Sequence, residues 1–480
     1  MESLKEKTAK GLFWGAMNNT VQQLLGVAFG IVTLRLLSPQ DNGMMAIIAV
    51  FSQVATVLQD SGFRSALVNI KEPSHRDYNA VFWFNIIVAV IMYFVLFFTA
   101  PLIADYYHTP ELTWFSRYAF LSIILAGFNT AQSAWLFKNL RAKQQAKAAM
   151  TAVLLSGIVC IVMAWQGYAY WSLATQGLVF IGVYMLMNWH YSPWRPSFSF
   201  DFRPIRSMFR FSVKMLLTTI VERVNVNIMN ILLGRYFSKH DVGIYNTAYN
   251  WSQKGSSLVQ GMVAQVAQPV FSDLQDDRER QLRVLRKMMR FAAFVSFPLM
   301  FGLSLVAEEF IVVAITAKWL GSAMLLRVLS IAAAFSPLST VLSQYIVSRG
   351  RSGIYLACTA ALCVMLVGMM IGLHSRGIEV MVWAYTVLFV LWFFVWYFFV
   401  SRLSGYRLFD MLADTMPFLL AALLVMLLTG WTTASVGTLW LRLVLRTIIS
   451  ASLYFALMKL LRVKMLDECM DFVKRKIGRK

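Results

Sequence analysis

Charge is scarce in this chain, and negative charge scarcest. Of 480 residues only 14% are Asp, Glu, Lys or Arg, against roughly 25% in a soluble domain. With 59% hydrophobic residues and a mean hydropathy of +0.62, that scarcity excludes an ordinary water-soluble fold. No soluble interior of this size holds so many apolar side chains, so the bilayer must solvate many of them. Cysteine is equally sparse. Cys160, Cys358, Cys363 and Cys469 are scattered, and the 358/363 pair has neither CxxC nor zinc spacing. Five histidines are dispersed, so neither a metal nor a cofactor is expected. Long polar segments are missing as well. The largest, 191–210 and 271–289, leave no extramembrane domain to house a catalytic site, which argues against an enzyme. No cleavable signal peptide is expected either, because the first apolar run, from Gly11, is too long and too polar in its middle.

What is present is a series of apolar runs. A spanning helix needs about 20 mostly apolar residues. About fourteen spans are expected, at 11–34, 42–66, 79–103, 113–137, 146–166, 169–190, 211–234, 242–270, 290–315, 323–347, 353–374, 379–400, 415–431 and 438–460. The second and eighth are polar enough to escape a hydropathy window. They are kept because the loop charges alternate only if both are counted. The net charge of +21 would suggest nucleic acid in a soluble protein. Here it lies in short loops, where it sets orientation. Lys138, Arg141, Lys143 and Lys147 occupy one even-numbered loop, and Arg195, Arg203, Arg206 and Arg210 another. The odd-numbered segments 105–114 and 165–171 carry no Lys or Arg. Both termini and all even-numbered loops are therefore expected on the cytoplasmic side.

The sequence also repeats itself at an offset of 200 residues. Arg35, Ser38, Asp41, Gly43, Ser52, Gln53 and Leu58 recur as Arg235, Ser238, Asp241, Gly243, Ser252, Gln253 and Leu258. The two copies are six spans apart, so both halves enter the membrane in the same direction, a plan common among transporters. The expected organisation is a six-helix lobe at 1–190, a cytoplasmic linker at 191–210, and a second six-helix lobe at 211–400. Two further helices follow at 415–460, and a basic cytoplasmic tail at 461–480. Within each repeat, Ser38 or Ser238 can cap the next helix, with Asp41 or Asp241 three positions on. Gly43 and Gly243 allow close helix packing. Arg35 and Arg235 sit at span ends and are expected to snorkel to the interface.

Polar side chains inside spans are costly and face a bundle interior or a wet cavity. They concentrate in spans one, two, seven and eight. The first carries Asn18 and Gln22, four apart on one face. The second carries Gln53, Asp60 and Arg64. The seventh has Lys214 near its entrance, then Glu222, and Arg223, Asn227 and Asn230 on one stripe. The eighth carries Gln253 and Lys254. The four polar spans are expected to line a shared hydrated cavity. Asp60–Arg64 and Glu222–Arg223 can equally be read as ion pairs that pin helices. Arg64, Arg223 and Lys254 are the candidates to hold a phosphate or pyrophosphate.

Several short motifs occur in a telling order. They are Leu36-Leu37-Ser38-Pro39-Gln40-Asp41-Asn42-Gly43, then Asp60-Ser61-Gly62-Phe63-Arg64-Ser65-Ala66-Leu67-Val68 and Asn79-Ala80-Val81-Phe82-Trp83. Gly167-Tyr168-Ala169-Tyr170-Trp171-Ser172-Leu173 and Leu233-Gly234-Arg235-Tyr236-Phe237 with Val242-Gly243-Ile244-Tyr245 follow. On these the chain, over about 1–460, resembles the Wzx-type polysaccharide exporters, particularly the colanic and teichuronic acid branch. That family belongs to the multidrug/oligosaccharidyl-lipid/polysaccharide flippase superfamily. The resemblance implies an all-α fold of two parallel six-helix lobes around a central cavity, with two added C-terminal helices. It implies a flippase that carries a lipid-linked oligosaccharide, typically on undecaprenyl pyrophosphate, from the inner to the outer leaflet of the bacterial cytoplasmic membrane. It also implies that cationic cavity residues hold the pyrophosphate. Expected partners are that lipid-linked substrate, membrane lipids and the polysaccharide polymerase machinery, with no nucleic acid. The alternative is a multidrug or cation exporter of the same fold. A cation exporter should favour unpaired membrane carboxylates, whereas Asp60 and Glu222 each have a cation within four positions.

The charge pattern makes a direct prediction about topology. In cysteine-accessibility labelling of whole cells, a cysteine at position 143 should be reached only from inside and one at 168 only from outside. The opposite pattern would overturn the topology.

Overall fold

In lipid every backbone amide must find its partner within the chain, and a helix achieves this within a single segment. The computed structural model describes residues 21–60, 67, 70, 72–274, 277–463 and 465–467, without the side chains of 54, 56–60, 207–218, 221, 222, 268 and 269. No strand occurs among the described residues. The helices group into two compact units, Met1–Gly243 and Ile244–Lys480. The first holds α1 (Val21–Leu36), α2 (Pro39–Asp60), α3 (His75–Tyr106), α4 (Leu112–Ala119), α5 (Leu121–Gly127) and α6 (Thr130–Lys138). It continues with α7 (Ala142–Trp165), α8 (Tyr170–Tyr191) and α9 (Arg203–Tyr236). The unit boundary falls in the first turns of α10 (Lys239–Asp273). The second unit continues with α11 (Arg278–Leu305), α12 (Ala307–Ile315), α13 (Leu320–Ser348) and α14 (Ser352–Leu373). It ends with α15 (Ile378–Ser404), α16 (Leu408–Thr432) and α17 (Leu439–Leu460).

Among the described residues nine helices are long and apolar enough to cross a bilayer, or ten if the α4–α6 segment, bent by 43°, is one span. The chain is thus an all-helical multi-pass membrane protein. Each expected span contains a helix, but the count of about fourteen is not reached on apolarity alone. The remaining expected spans hold α1, α2, α9 and α10, all four of which include residues outside the described set. The polar segment 271–289 is also more helical than its composition suggests. α11 begins at Arg278, where Asp277 accepts a hydrogen bond from the Arg280 N–H at 3.0 Å.

One local rule starts three of these helices. Ser38 Oγ donates to Asp41 Oδ2 at 2.6 Å, Ser38 N donates to the same oxygen at 2.9 Å, and Asp41 N donates back to Ser38 Oγ at 3.3 Å. The same reciprocal bonds join Ser238 to Asp241 and Ser74 to Asp77. Each box satisfies N–H groups that a helix start leaves orphaned and places a carboxylate at the positive end of the helix dipole.

The two repeat copies meet at their glycines. A Cβ on Gly43 would lie 1.9 Å from the Lys239 carbonyl oxygen, and one on Gly243 would lie 1.8 Å from that of Pro39. Asn42 Nδ2 donates to the Gly243 carbonyl at 3.4 Å. The starts of α2 and α10 therefore cross backbone to backbone in the first unit. The second copy is also tied to the turn after α3. Arg235 Nη1 lies 2.6 Å from both the Tyr106 carbonyl oxygen and His108 Nε2, with its guanidinium 4.8 Å from the Tyr106 ring centre. Lys239 pairs with Glu111 at 3.3 Å. The carboxyl of Glu111 is held below its ordinary range by a bond to its own backbone N–H and by Lys239. Arg235 thus makes specific bonds as well as sitting at a span end.

The segment after α8 is an extended strap docked along α3. Asn79, 3% exposed, accepts from Ser197 N at 2.9 Å and donates to the Ser199 carbonyl at 2.6 Å. Trp83 Nε1 donates to the Ser197 carbonyl at 2.8 Å. One turn earlier, His75 Nε2 meets the Arg195 carbonyl at 3.0 Å, and Arg76 pairs with Asp201. Trp194 fills the space between, against Tyr78 and Phe82. The spacing 75, 79, 83 is one helical face, which explains the Asn79–Trp83 motif as a dock for the strap.

Buried ions bind the last two helices into the second unit. The Arg286 guanidinium grips Asp414 in two bonds of 2.8 and 3.2 Å and reaches Asp410 at 3.0 Å. Tyr406 donates its hydroxyl hydrogen to Asp414 at 2.9 Å. On α12 the carboxylate of Glu309, 0% exposed, lies 2.6 Å from Arg442 and 2.7 Å from Arg446 on α17.

Two outcomes follow. Gly43→Ala gains helix propensity of about 1 kcal/mol but drives a Cβ into a backbone carbonyl that no side-chain rotation can relieve. The net cost is expected at about 1–3 kcal/mol, read as a lowered unfolding midpoint of the detergent-solubilised protein. Gly243→Ala should behave alike, and Gly368→Ala, which meets open space, should not. Glu309→Leu leaves two partly buried guanidiniums without their shared carboxylate, and a loss of about 2–4 kcal/mol is expected by the same measurement.

Candidate functional site

Of the expected site residues, Asn18 and Arg64 and the side chains of Asp60, Lys214 and Glu222 lie outside the described residues. The others fall into one group in each unit. In the first, α2 and α9 pack side by side and bring Gln53 to Asn227. Their amides bond reciprocally, Gln53 Nε2 to Asn227 Oδ1 at 3.4 Å and Asn227 Nδ2 to Gln53 Oε1 at 3.2 Å. Asn227 Nδ2 also donates to the Arg223 carbonyl at 2.8 Å. Asn227 is buried, so its amide needs these partners, and the pair pins the two helices. One turn earlier on the same stripe, Arg223 is exposed and forms no ion pair among the described residues. It presents its guanidinium to whatever lies beside the stripe. Asn230, one turn beyond, is buried with its Oδ1 unpartnered among the described residues. Gln22 sits half-buried on α1.

In the second unit α10 carries the polar stripe. Lys254 Nζ stands 4.4 Å from the Trp251 ring centre, a cation–π contact that holds a half-buried ammonium with no carboxylate paired to it among the described residues. Ser256 donates to Gln253 Oε1 at 3.4 Å, and Gln260 Nε2 donates to Ser256 Oγ at 3.0 Å. A chain of side-chain hydrogen bonds thus runs two turns along one helix face.

Gln260 opens onto a cavity of about 200 Å³ that sequence reasoning did not single out. One wall is hydroxylic, formed by Ser336, Ser339, Thr340 and Ser343 of α13; the other is aromatic, formed by Tyr355, Phe389, Trp392 and Trp396. Tyr355 and Trp396 stack with ring centres 5.6 Å apart. The indole N–H of Trp392 has no hydrogen-bond partner among the described residues. The signal was present in the sequence as hydroxyls at i, i+3, i+4 and i+7, but small hydroxyl residues recur in membrane helices for packing alone. Its meaning depends on the aromatic wall, which comes from two other helices. The chemistry is that of carbohydrate contact: aromatic faces cover sugar C–H groups, and hydroxyl and amide groups bond sugar hydroxyls.

A second cavity of the same unit is the opposite in character. About 570 Å³ of space lies between α11, α16 and α17, walled by Pro298, Gly302, Ala422, Val425, Ala451 and Phe455 among others. Its lining is suited to a hydrocarbon chain.

Comparison with known proteins places these features in context. The family described as "Polysaccharide biosynthesis protein" matches residues 32–324. The teichuronic acid biosynthesis protein TuaB of Bacillus subtilis is 25% identical over 363 residues, 73% of each chain. The succinoglycan biosynthesis transport protein ExoT of Rhizobium meliloti is 24% identical over 480 residues, 96% of this chain and 94% of its own. Among solved structures, the lipid II flippase MurJ in its inward closed conformation shares the fold. Its TM-score is 0.76 over 94% of this chain and 99% of that one, at 13% identity. The chain belongs to the polysaccharide biosynthesis protein family, on the helical transporter fold that MurJ shares.

Proposed function

We propose that the protein flips a lipid-linked oligosaccharide, with undecaprenyl pyrophosphate as carrier, from the inner to the outer leaflet of the bacterial cytoplasmic membrane by alternating access. The observation that carries this reading is the pairing of opposite cavities within one unit. A hydroxyl-and-aromatic cavity suits sugar, and an apolar cleft suits a hydrocarbon chain. A cargo needing both is a glycolipid. The resemblance noted above and the similarity to ExoT, a succinoglycan biosynthesis transport protein, support the same reading.

In this scheme Arg223 and Lys254, together with Arg64 and Lys214, hold the pyrophosphate. Guanidinium forks match phosphate oxygens two at a time, and an ammonium without a carboxylate partner favours an anion. Asp60 and Glu222 temper that charge, and Asn18, Gln22, Gln53, Asn227 and Gln253 keep the surrounding surface polar. The protein works as a transporter rather than an enzyme, with both termini cytoplasmic. It hands its cargo to the machinery that polymerises the sugar units.

Replacing Arg64 or Arg223 with Ala is expected to abolish surface polysaccharide while membrane levels of the protein, measured by immunoblot, stay unchanged. Normal polysaccharide in both variants would remove the pyrophosphate-holding role. Trp392→Ala should lower polysaccharide output by about tenfold, the loss of one stacked and one hydrogen-bonded contact. Deleting the gene should lead to accumulation of the lipid-linked sugar in the cytoplasmic leaflet. If no such glycolipid accumulates, the flippase reading falls.

A further inference from the structure

Four arginines of the second unit converge on one cavity. A space of about 280 Å³ is lined by Arg278, Arg349, Arg351, Arg402 and Leu403, with no carboxylate among the described lining residues. Each arginine comes from the end of a different helix or from the turn between two. Arg278 is the first residue of α11, and Arg402 lies in the last turn of α15. Arg349 and Arg351 flank Gly350 in the turn from α13 to α14. That turn closes by Arg349 N bonding the Tyr345 carbonyl at 3.2 Å and Arg351 N bonding the Ile346 carbonyl at 3.2 Å. Gly350 takes φ +71°, a conformation that L side chains rarely adopt, and the reversal it allows puts both neighbouring guanidiniums on the same cavity.

Basic residues at a membrane edge ordinarily serve orientation, and for that they need only reach water. Convergence is a different arrangement. Like charges gathered around one space repel one another, and an anion seated among them relieves that repulsion. Part of the cluster is also held in place. Arg402 lies flat over the Phe398 ring, 4.7 Å from its centre, so it gives up less side-chain freedom on binding. The described carboxylates on either side of Arg278 are engaged elsewhere, Asp277 as the cap of α11 with Arg280 N at 3.0 Å and Glu279 with Arg283 at 3.6 Å. The amino-terminal ends of α11 and α14 add their own positive dipole ends.

We infer that this cavity binds a phosphorylated anion, either the phosphate or diphosphate of a soluble molecule or the head group of an anionic phospholipid. Guanidinium groups take phosphate oxygens in paired hydrogen bonds, and several converging cations select an anion of two or more charges over a carboxylate. The site lies in the second unit and involves none of the residues proposed to hold the cargo, so it stands apart from the flippase reading.

The test uses full-length protein in nanodiscs. In phosphatidylcholine discs, inorganic pyrophosphate is titrated by calorimetry. Saturable binding is expected, weakened by salt. It should be weaker by about tenfold in Arg351→Gln and again in Arg351→Gln/Arg402→Gln. In discs containing phosphatidylglycerol, native mass spectrometry is expected to find that lipid retained by the wild type and lost from the double variant. Loss in the first measurement alone marks a soluble anion, and loss in the second marks a lipid head group; either supports the site. Equal behaviour of wild type and double variant in both, or no binding by the wild type in either, overturns it. Should the double variant not fold, Arg351→Lys/Arg402→Lys keeps the charge and loses the fork, and its phosphate affinity must fall between the extremes. A pyrophosphate signal lost only in Arg223→Ala would support the cargo site and overturn this one.

Discussion

Two helix starts can touch backbone to backbone only where neither carries a Cβ, and the first unit is organised around one such crossing. Gly43 and Gly243 sit at the same place in the two repeat copies, each against the other copy's carbonyl groups. The crossing draws the second copy's motif onto the turn after α3 through Arg235 and Lys239. It also accompanies the close packing of α9 along α2, which brings Gln53 within reach of Asn227. That amide pair in turn orients the stripe on which Arg223 stands. A cationic side chain in a polar span is thus presented by a chain of contacts that begins at two hydrogen atoms.

Polar groups in a membrane protein either pin helices or face a ligand, and the two uses differ here in their bonding. Asn79, Asp414 and Glu309 are buried, and each is held by neighbours across tertiary contacts, Glu309 through Oε1 alone. Removing a partner from any of them strands a buried polar group, which is why such sites read as structural. Arg223 is exposed, Lys254 stands against an aromatic ring, and the four arginines at the ends of α11, α13, α14 and α15 line one cavity. In the second unit, sugar-like and hydrocarbon-like linings are kept in separate cavities because a single lining cannot satisfy hydroxyls and methylenes at once. An amphiphilic cargo fits that division.

Much of the local plan was legible beforehand. The Ser–Asp boxes of both repeats and the close packing of their glycines follow from spacing, because capping and helix crossing are short-range events. The four polar helices were identifiable by composition. Other features could be read but not interpreted. Asn79–Trp83 stood out as a motif, yet its partner is a strap 120 positions along the chain. Ser336, Ser339, Thr340 and Ser343 look like packing residues until Trp392 and Trp396 are set opposite them. Arg349 and Arg351 look like orientation signals until Arg278 and Arg402 join them.

The sequence by itself determined that this is a helical membrane protein with a repeated motif, where the capping boxes of that motif start two of its helices, and which helices carry polar residues. Those properties rest on hydrophobic periodicity, on capping within four residues and on the cost of charge in lipid, all of which act locally along the chain. Only the tertiary structure decided which polar groups are consumed as pins and which remain to meet a ligand. Pairing across helices depends on distances between residues more than a hundred positions apart, and no local pattern encodes them.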